Sequence, residues 1–150
     1  IQRRFTKIFS IGDREFFDDY AHHPTEIKAV LNGVKEVYKK RNIICVFQPH
    51  RYSRIKALKN EFSLSFKDCD TVVLCPVYSA GEKKKYKYNQ DNFAKLISKN
   101  SKKQVVNITG KEELYKYIKT NLVSNEVVIC MGAGSISNWI REIGNELKWN

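Results

Sequence analysis

Apolar residues in this chain fall into two kinds of pattern that alternate along it. Ile43–Phe47, Thr71–Cys75, Gln104–Ile108 and Val127–Met131 are short Val/Ile-rich runs, as expected of strands buried on both faces of a parallel sheet. Between them the apolar positions recur at helical spacing, which predicts helices near 24–41, 53–66, 90–99, 111–122 and 136–147. The first carries Ile27, Val30, Leu31, Val34 and Tyr38 on one stripe, and the last Ile136, Ile140, Ile143 and Leu147. Pro24 fits the first helical position, where its missing N–H costs nothing. Two shorter strand-like runs, Arg4–Ile8 and Glu15–Asp18, come first, joined by a turn at Gly12-Asp13. The pattern predicts one α/β domain over 1–150: a mainly parallel sheet with helices on both faces, preceded by a short antiparallel pair.

Composition changes this picture little. At 150 residues the chain can bury a full core. It has no apolar run near 18 residues, so no membrane span is expected, and no signal peptide is visible at Ile1. The start, without Met and inside a predicted strand, reads as part of a longer polypeptide. Cys45, Cys69, Cys75 and Cys130 show no C-x-x-C spacing, and three lie in apolar runs, so they read as reduced core thiols of a cytoplasmic protein. The net charge of +11 favours polyanions in general, but its lysines are spread over helices and the run Lys83-Lys84-Lys85, which reads as a solvated surface.

Position gives the polar motifs their meaning. Ligands of open α/β sheets bind outside the carboxyl ends of the strands. Asp19–Thr25, Gln48–Arg54, Pro76–Glu82 and Gly132–Ser135 all follow predicted strands, whereas loops such as Lys40-Arg41-Asn42 at the other end carry mainly lysine and small polar residues. One edge of the sheet is therefore the expected site.

The residues there admit several roles. Arg51 and Arg54, three apart at a helix start, share a face and could grip one carboxylate or phosphate, or simply bond local carbonyls. Asp18, Asp19, His22 and His23 could bind metal, act as acid and base, or cap the helix. Asp19 could also hold ribose hydroxyls, and Tyr20 or His22 could stack on a base. Gly132-Ala133-Gly134-Ser135 has half of a dinucleotide fingerprint; a tight strand–helix turn with Ser135 as cap is the simpler reading. Tyr78–Glu82 reads as a loop ending a strand.

Arg3-Arg4-Phe5, Asp18–Glu26, Gln48–Arg54, Tyr78–Glu82 and Gly132–Ser137 together resemble, in order and spacing, the C-terminal domain of the alanine-adding Mur ligases. The stretch Asp18-Asp19-Tyr20-Ala21-His22-His23-Pro24-Thr25-Glu26 and the segment Pro49-His50-Arg51-Tyr52-Ser53-Arg54 carry the resemblance most specifically. It implies a Rossmann-like domain that closes over a central ATPase domain, with a UDP-binding domain before that. It also implies a reaction in which ATP, with Mg, activates the lactyl carboxylate of UDP-N-acetylmuramate as an acyl phosphate, which the amine of L-alanine attacks. Arg4 would then reach the ATP phosphates and Asp19 the ribose, with Tyr20 and His22 between the adenosine and the amino acid. His50, Arg51 and Arg54 would hold the amino-acid carboxylate. No catalytic nucleophile and no metal ligand is implied in this domain. The chain contains no G-x-x-x-x-G-K-[ST] motif, so the phosphate and Mg sites belong to the central domain and the isolated chain is expected to be inactive.

Two other readings compete. A basic α/β module binding nucleic acid would use the charge, but no RNP, KH or helix-turn-helix signature is present and the clustered motifs go unexplained. A metal-dependent phosphohydrolase built on Asp19 and His22 would require bound metal.

Overall fold

The computed structural model describes residues 5–83 and 87–149. Its strands are β1 (Thr6–Ile11), β2 (Arg14–Asp19), β3 (Asn42–Phe47), β4 (Thr71–Leu74), β5 (Gln104–Asn107) and β6 (Glu126–Met131). The helices are α1 (Pro24–Val37), α2 (Tyr52–Ser63), α3 (Gln90–Ser101), α4 (Lys111–Asn121) and α5 (Ile136–Trp149). One sheet runs in the order β1-β2-β6-β3-β4-β5. The β1–β2 pair is antiparallel and every other pair is parallel, as the apolar runs predict.

Several boundaries differ from expectation, and α2 for one ends at Ser63 rather than 66. β1 runs on past Ile8 to Ile11, ending where Gly12 takes φ +60° for the tight turn. The first helix stops at Val37 instead of reaching 41, because Tyr38 leaves helical geometry. The freed Arg41 works as a clamp: its guanidinium donates to the carbonyls of Asp13, Asn125 and Glu126 and to the Glu15 carboxylate. Arg4, expected at the start of β1, lies outside the described residues.

Side chains alternate across each strand, so the sheet builds two cores. Phe17, Cys45, Phe47, Val72 and Ile129 pack with Ile27, Leu31, Phe62 and Phe93 of α1–α3. Phe16, Ile44, Val46, Val73 and Val128 pack with Leu114, Ile118, Ile136, Ile140 and Ile143 of α4 and α5. All four cysteines are buried and free. Burial pushes the Cys69 thiol up to about 12 and raises the other three as well, which leaves them inert apolar fillers.

The face each helix takes follows from handedness. From β2 through β3 and β4 to β5 the chain steps one way along the sheet, and from β5 to β6 it steps back. Parallel crossovers are almost always right-handed, so α1–α3 lie on one face and α4 on the other. α5 follows α4, since Ile136, Ile140 and Ile143 join that core. The chain therefore leaves β2 and β3 toward one face and leaves β6, between them, toward the opposite face. Crevices at the carboxyl ends of strands open where the direction reverses. Here that is on both sides of β6.

Candidate functional site

The three loops that border this reversal are 20–23, 48–51 and 132–135, and backbone and side-chain bonds lock them together. The Gly132 N–H donates to Asp19 O at 3.2 Å, and the Gln48 N–H to Met131 O at 3.0 Å. Gln48 is buried; its Nε2 donates to Ser135 Oγ at 2.9 Å while its Oε1 accepts the Ile136 N–H at 3.0 Å. One amide side chain thus supports the start of α5. Gly132 must be glycine: a Cβ there would stand 2.9 Å from Ile136 Cγ2 and 3.1 Å from Gln48 O, at φ +156°.

Asp18 and Asp19 part company because they sit on opposite faces of β2. Asp18 is fully buried beneath α5, accepting from the Ser137 hydroxyl at 2.7 Å and from Arg141 at 3.2 Å. Asp19 lies at the floor of the crevice, where its Oδ1 accepts the Ala21 N–H at 2.8 Å and turns the chain into the loop.

Glu26 caps α1, accepting the N–H groups of His22 and His23 at 3.1 and 3.0 Å. Burial works to raise its carboxyl pKa, but these two bonds outweigh it and the net shift is downward. The His22 ring can only donate to the Tyr20 carbonyl, 3.0 Å from its Nδ1. Its proton therefore sits on Nδ1 in the neutral form. Four rings line the crevice in sequence: Tyr20 against His22 at 5.2 Å, His22 against His50 at 5.6 Å and His50 stacked on Tyr78 at 5.8 Å between centroids. Tyr78 in turn covers Gly134, where a Cβ would fall 2.4 Å from the ring.

The arginine arm follows β3. His50 forms a bridge with Tyr78, the Tyr78 N–H donating to Pro49 O and the Arg51 N–H to Tyr78 O, both at 2.8 Å. Arg51 is exposed and is the N-cap of α2, at φ 72° and ψ 133°. Arg54 folds back, its Nη1 donating to His50 Nδ1 at 2.9 Å and to His50 O at 3.2 Å. Burial first, and then the Arg54 charge, hold the His50 imidazole below its usual 6.5. Glu82 accepts the Ser53 N–H at 3.1 Å and the Ser53 hydroxyl. These bonds, the hydroxyl's foremost, hold its carboxyl below the usual range, and the Arg51 charge adds to them.

A crevice with a carboxylate floor, flat rings and guanidinium groups on one wall suits a ligand with hydroxyls, a flat surface and an anionic end. The Mur ligase, glutamate ligase domain family model matches residues 3–134. The chain belongs to the Mur ligase C-terminal domain family. It is 54% identical over 143 residues to the UDP-N-acetylmuramate–L-alanine ligase of Pelagibacter ubique, a match covering 95% of the chain and 31% of that protein. The crystal structure of UDP-N-acetylmuramate–alanine ligase from Thermotoga maritima matches 99% of this chain and 30% of its own, at 29% identity and a TM-score of 0.71. A murein peptide ligase from Psychrobacter arcticus shares the fold over 97% of this chain and 30% of its own, with a TM-score of 0.76 at 19% identity. The chain spans about a third of the length of these relatives.

In this Mur ligase domain, Asp19, Tyr20, His22, His50, Arg51 and Arg54 all border the β6 reversal or its β3 side. The helix-face rule that pairs Arg51 with Arg54 does not describe how they sit. Arg51 precedes the helix in a left-handed conformation, and the partner of Arg54 is His50, four residues back. Gln48, Tyr78 and Glu82 fall in segments that the sequence placed at this edge, but it gave them no individual role. Their signals were a polar residue straight after a buried strand and an acid ending a glycine-containing loop. Among the described residues no three His, Cys, Asp or Glu side chains group as a cation site, and no helix is long and apolar enough to cross a membrane.

Proposed function

We propose that the complete protein is an ATP-dependent ligase of three domains, joining L-alanine to UDP-N-acetylmuramate in the cytoplasm. This chain would close over the central ATPase domain. The observation that carries the reading is the 54% identity, over 95% of the chain, to a UDP-N-acetylmuramate–L-alanine ligase. The crevice agrees with it. Asp19 would accept from the ribose hydroxyls of ATP, with Tyr20 and His22 alongside. His50, Arg51 and Arg54 would bind the carboxylate of L-alanine and so aim its amine at the activated acyl carbon. The chain has no P-loop motif, so the phosphates and Mg would be held by the central domain, with Arg4 reaching the phosphates. What this domain supplies is orientation and positive charge near the reacting anions.

In the complete enzyme, Arg51→Ala or Arg54→Ala should raise the KM for alanine roughly tenfold to a hundredfold, the loss of about 1.5–3 kcal/mol in a charge-assisted bond. Lysine should rescue only in part, since it lacks the fork. Asp19→Ala should show the reverse bias, weakening ATP and sparing alanine. The isolated chain should release no phosphate above a blank. Equal effects of Arg51→Ala on alanine and ATP would make the arginines phosphate-directed or structural.

A further inference from the structure

Helix α2 starts without a cap of its own. Its N-cap residue is Arg51, which makes no side-chain capping bond and has no acceptor to make one with. The φ 72°, ψ 133° backbone of Arg51 is one that non-glycine residues rarely adopt. The open N–H groups of the first turn need an acceptor from elsewhere, and Glu82 brings one in from the loop after β4. Its delivery takes two more left-handed residues, Ala80 at φ 52° and Gly81 at φ 81°, and a turn closed by the Glu82 N–H on Ser79 O at 2.9 Å. The same loop sends Tyr78 to bond Pro49 and Arg51 on the other side of the helix start. Unfavourable backbone persists where its surroundings over-determine it, and such places gather at functional sites.

We propose that Glu82 is a positioning residue for the arginine arm: by fixing the first turn of α2 it sets the aim of Arg51 and Arg54, and with it the affinity for the amino-acid carboxylate. The proposal rests on the ligase reading above. Arg51 immediately precedes the clamped turn, and Arg54 directly follows Ser53, the residue that Glu82 grips. Glu82 itself contacts no substrate in this role. Its two oxygens are turned to Ser53 and hold the first turn of α2.

The test uses the complete ligase with Glu82→Ala, Glu82→Gln and Ser53→Ala, and Arg51→Ala as the reference. Glu82→Ala should raise the KM for alanine roughly tenfold while that for ATP, and kcat, stay within about twofold. Gln keeps an acceptor for the Ser53 N–H and should recover most of the loss. Ser53→Ala, which removes only the hydroxyl bond, should give a smaller rise in the same constant. These two near-isosteric variants carry the comparison if the Ala variant does not fold. A uniform fall in all kinetic constants that follows a lowered Tm, or an unchanged KM for alanine in Glu82→Ala, overturns the positioning role. An unchanged KM for alanine in Arg51→Ala removes the amino-acid site itself, and the proposal falls with it. A rise in Arg51→Ala without one in Glu82→Ala removes the proposal alone.

Discussion

Arg54 donates to Nδ1 of His50, and a guanidinium only donates, so the neutral His50 ring carries its proton on Nε2. His22 shows the opposite tautomer because its Nδ1 faces a carbonyl. Burial and the Arg54 charge hold the pKa of His50 below 6.5 in the folded chain, whereas the unfolded chain takes up the proton near that value. Below 6.5 the unfolded state therefore binds more protons, and stability falls with pH until folded His50 is itself protonated. His50→Gln should flatten this part of the stability-against-pH curve. NMR titration of the ring should place His50 below 6.5, and Arg54→Ala should move it upward. A His50 that titrates at or above 6.5 in the folded chain would show that its burial and the Arg54 contact are not kept in solution.

The turn from β6 to α5 depends on what lies above it. Gly134 is covered by the Tyr78 ring at a distance no Cβ tolerates, so Gly134→Ala must drive Tyr78 off and disturb its bridge to His50. Overpacking of this kind costs about 1–3 kcal/mol. Chemical denaturation should show that loss, and Tyr78→Ala in the same background should restore much of it; a Gly134→Ala chain as stable as the parent would mean that the ring is not held there. This element also marks how far the sequence could be read. Every strand and helix was legible, because apolar runs and helical stripes are local patterns. So was the edge that bears the site, since strand direction tells which loops follow carboxyl ends. The locks within the site were not legible. Gln48 meets Ser135 across 87 residues and Glu82 meets Ser53 across 29, and no local pattern encodes such meetings. How Arg51 sits before α2 was not legible either, for a different reason. The spacing rule holds inside a helix, and Arg51 stands one residue before it.

As a whole molecule the domain is one sheet with two cores, and its crevice draws on β2, β3 and β6. The last strand in the chain occupies a central place in the sheet, paired with β2 on one side and β3 on the other. A chain emerging from the ribosome would thus hold β2 and β3 with facing edges bare until residue 131 is out. Bare edges of this kind recruit other strands, and closing them late requires contacts distant in sequence, which slows folding. Truncation after residue 125 should consequently yield no smaller folded unit, only chains without a cooperative thermal transition that associate as concentration rises; a monomeric fragment melting sharply would contradict this. The arrangement that places the crevice at the centre of the sheet leaves the facing edges of β2 and β3 bare until β6 is made, and makes β6 the strand whose arrival completes both the fold and the site.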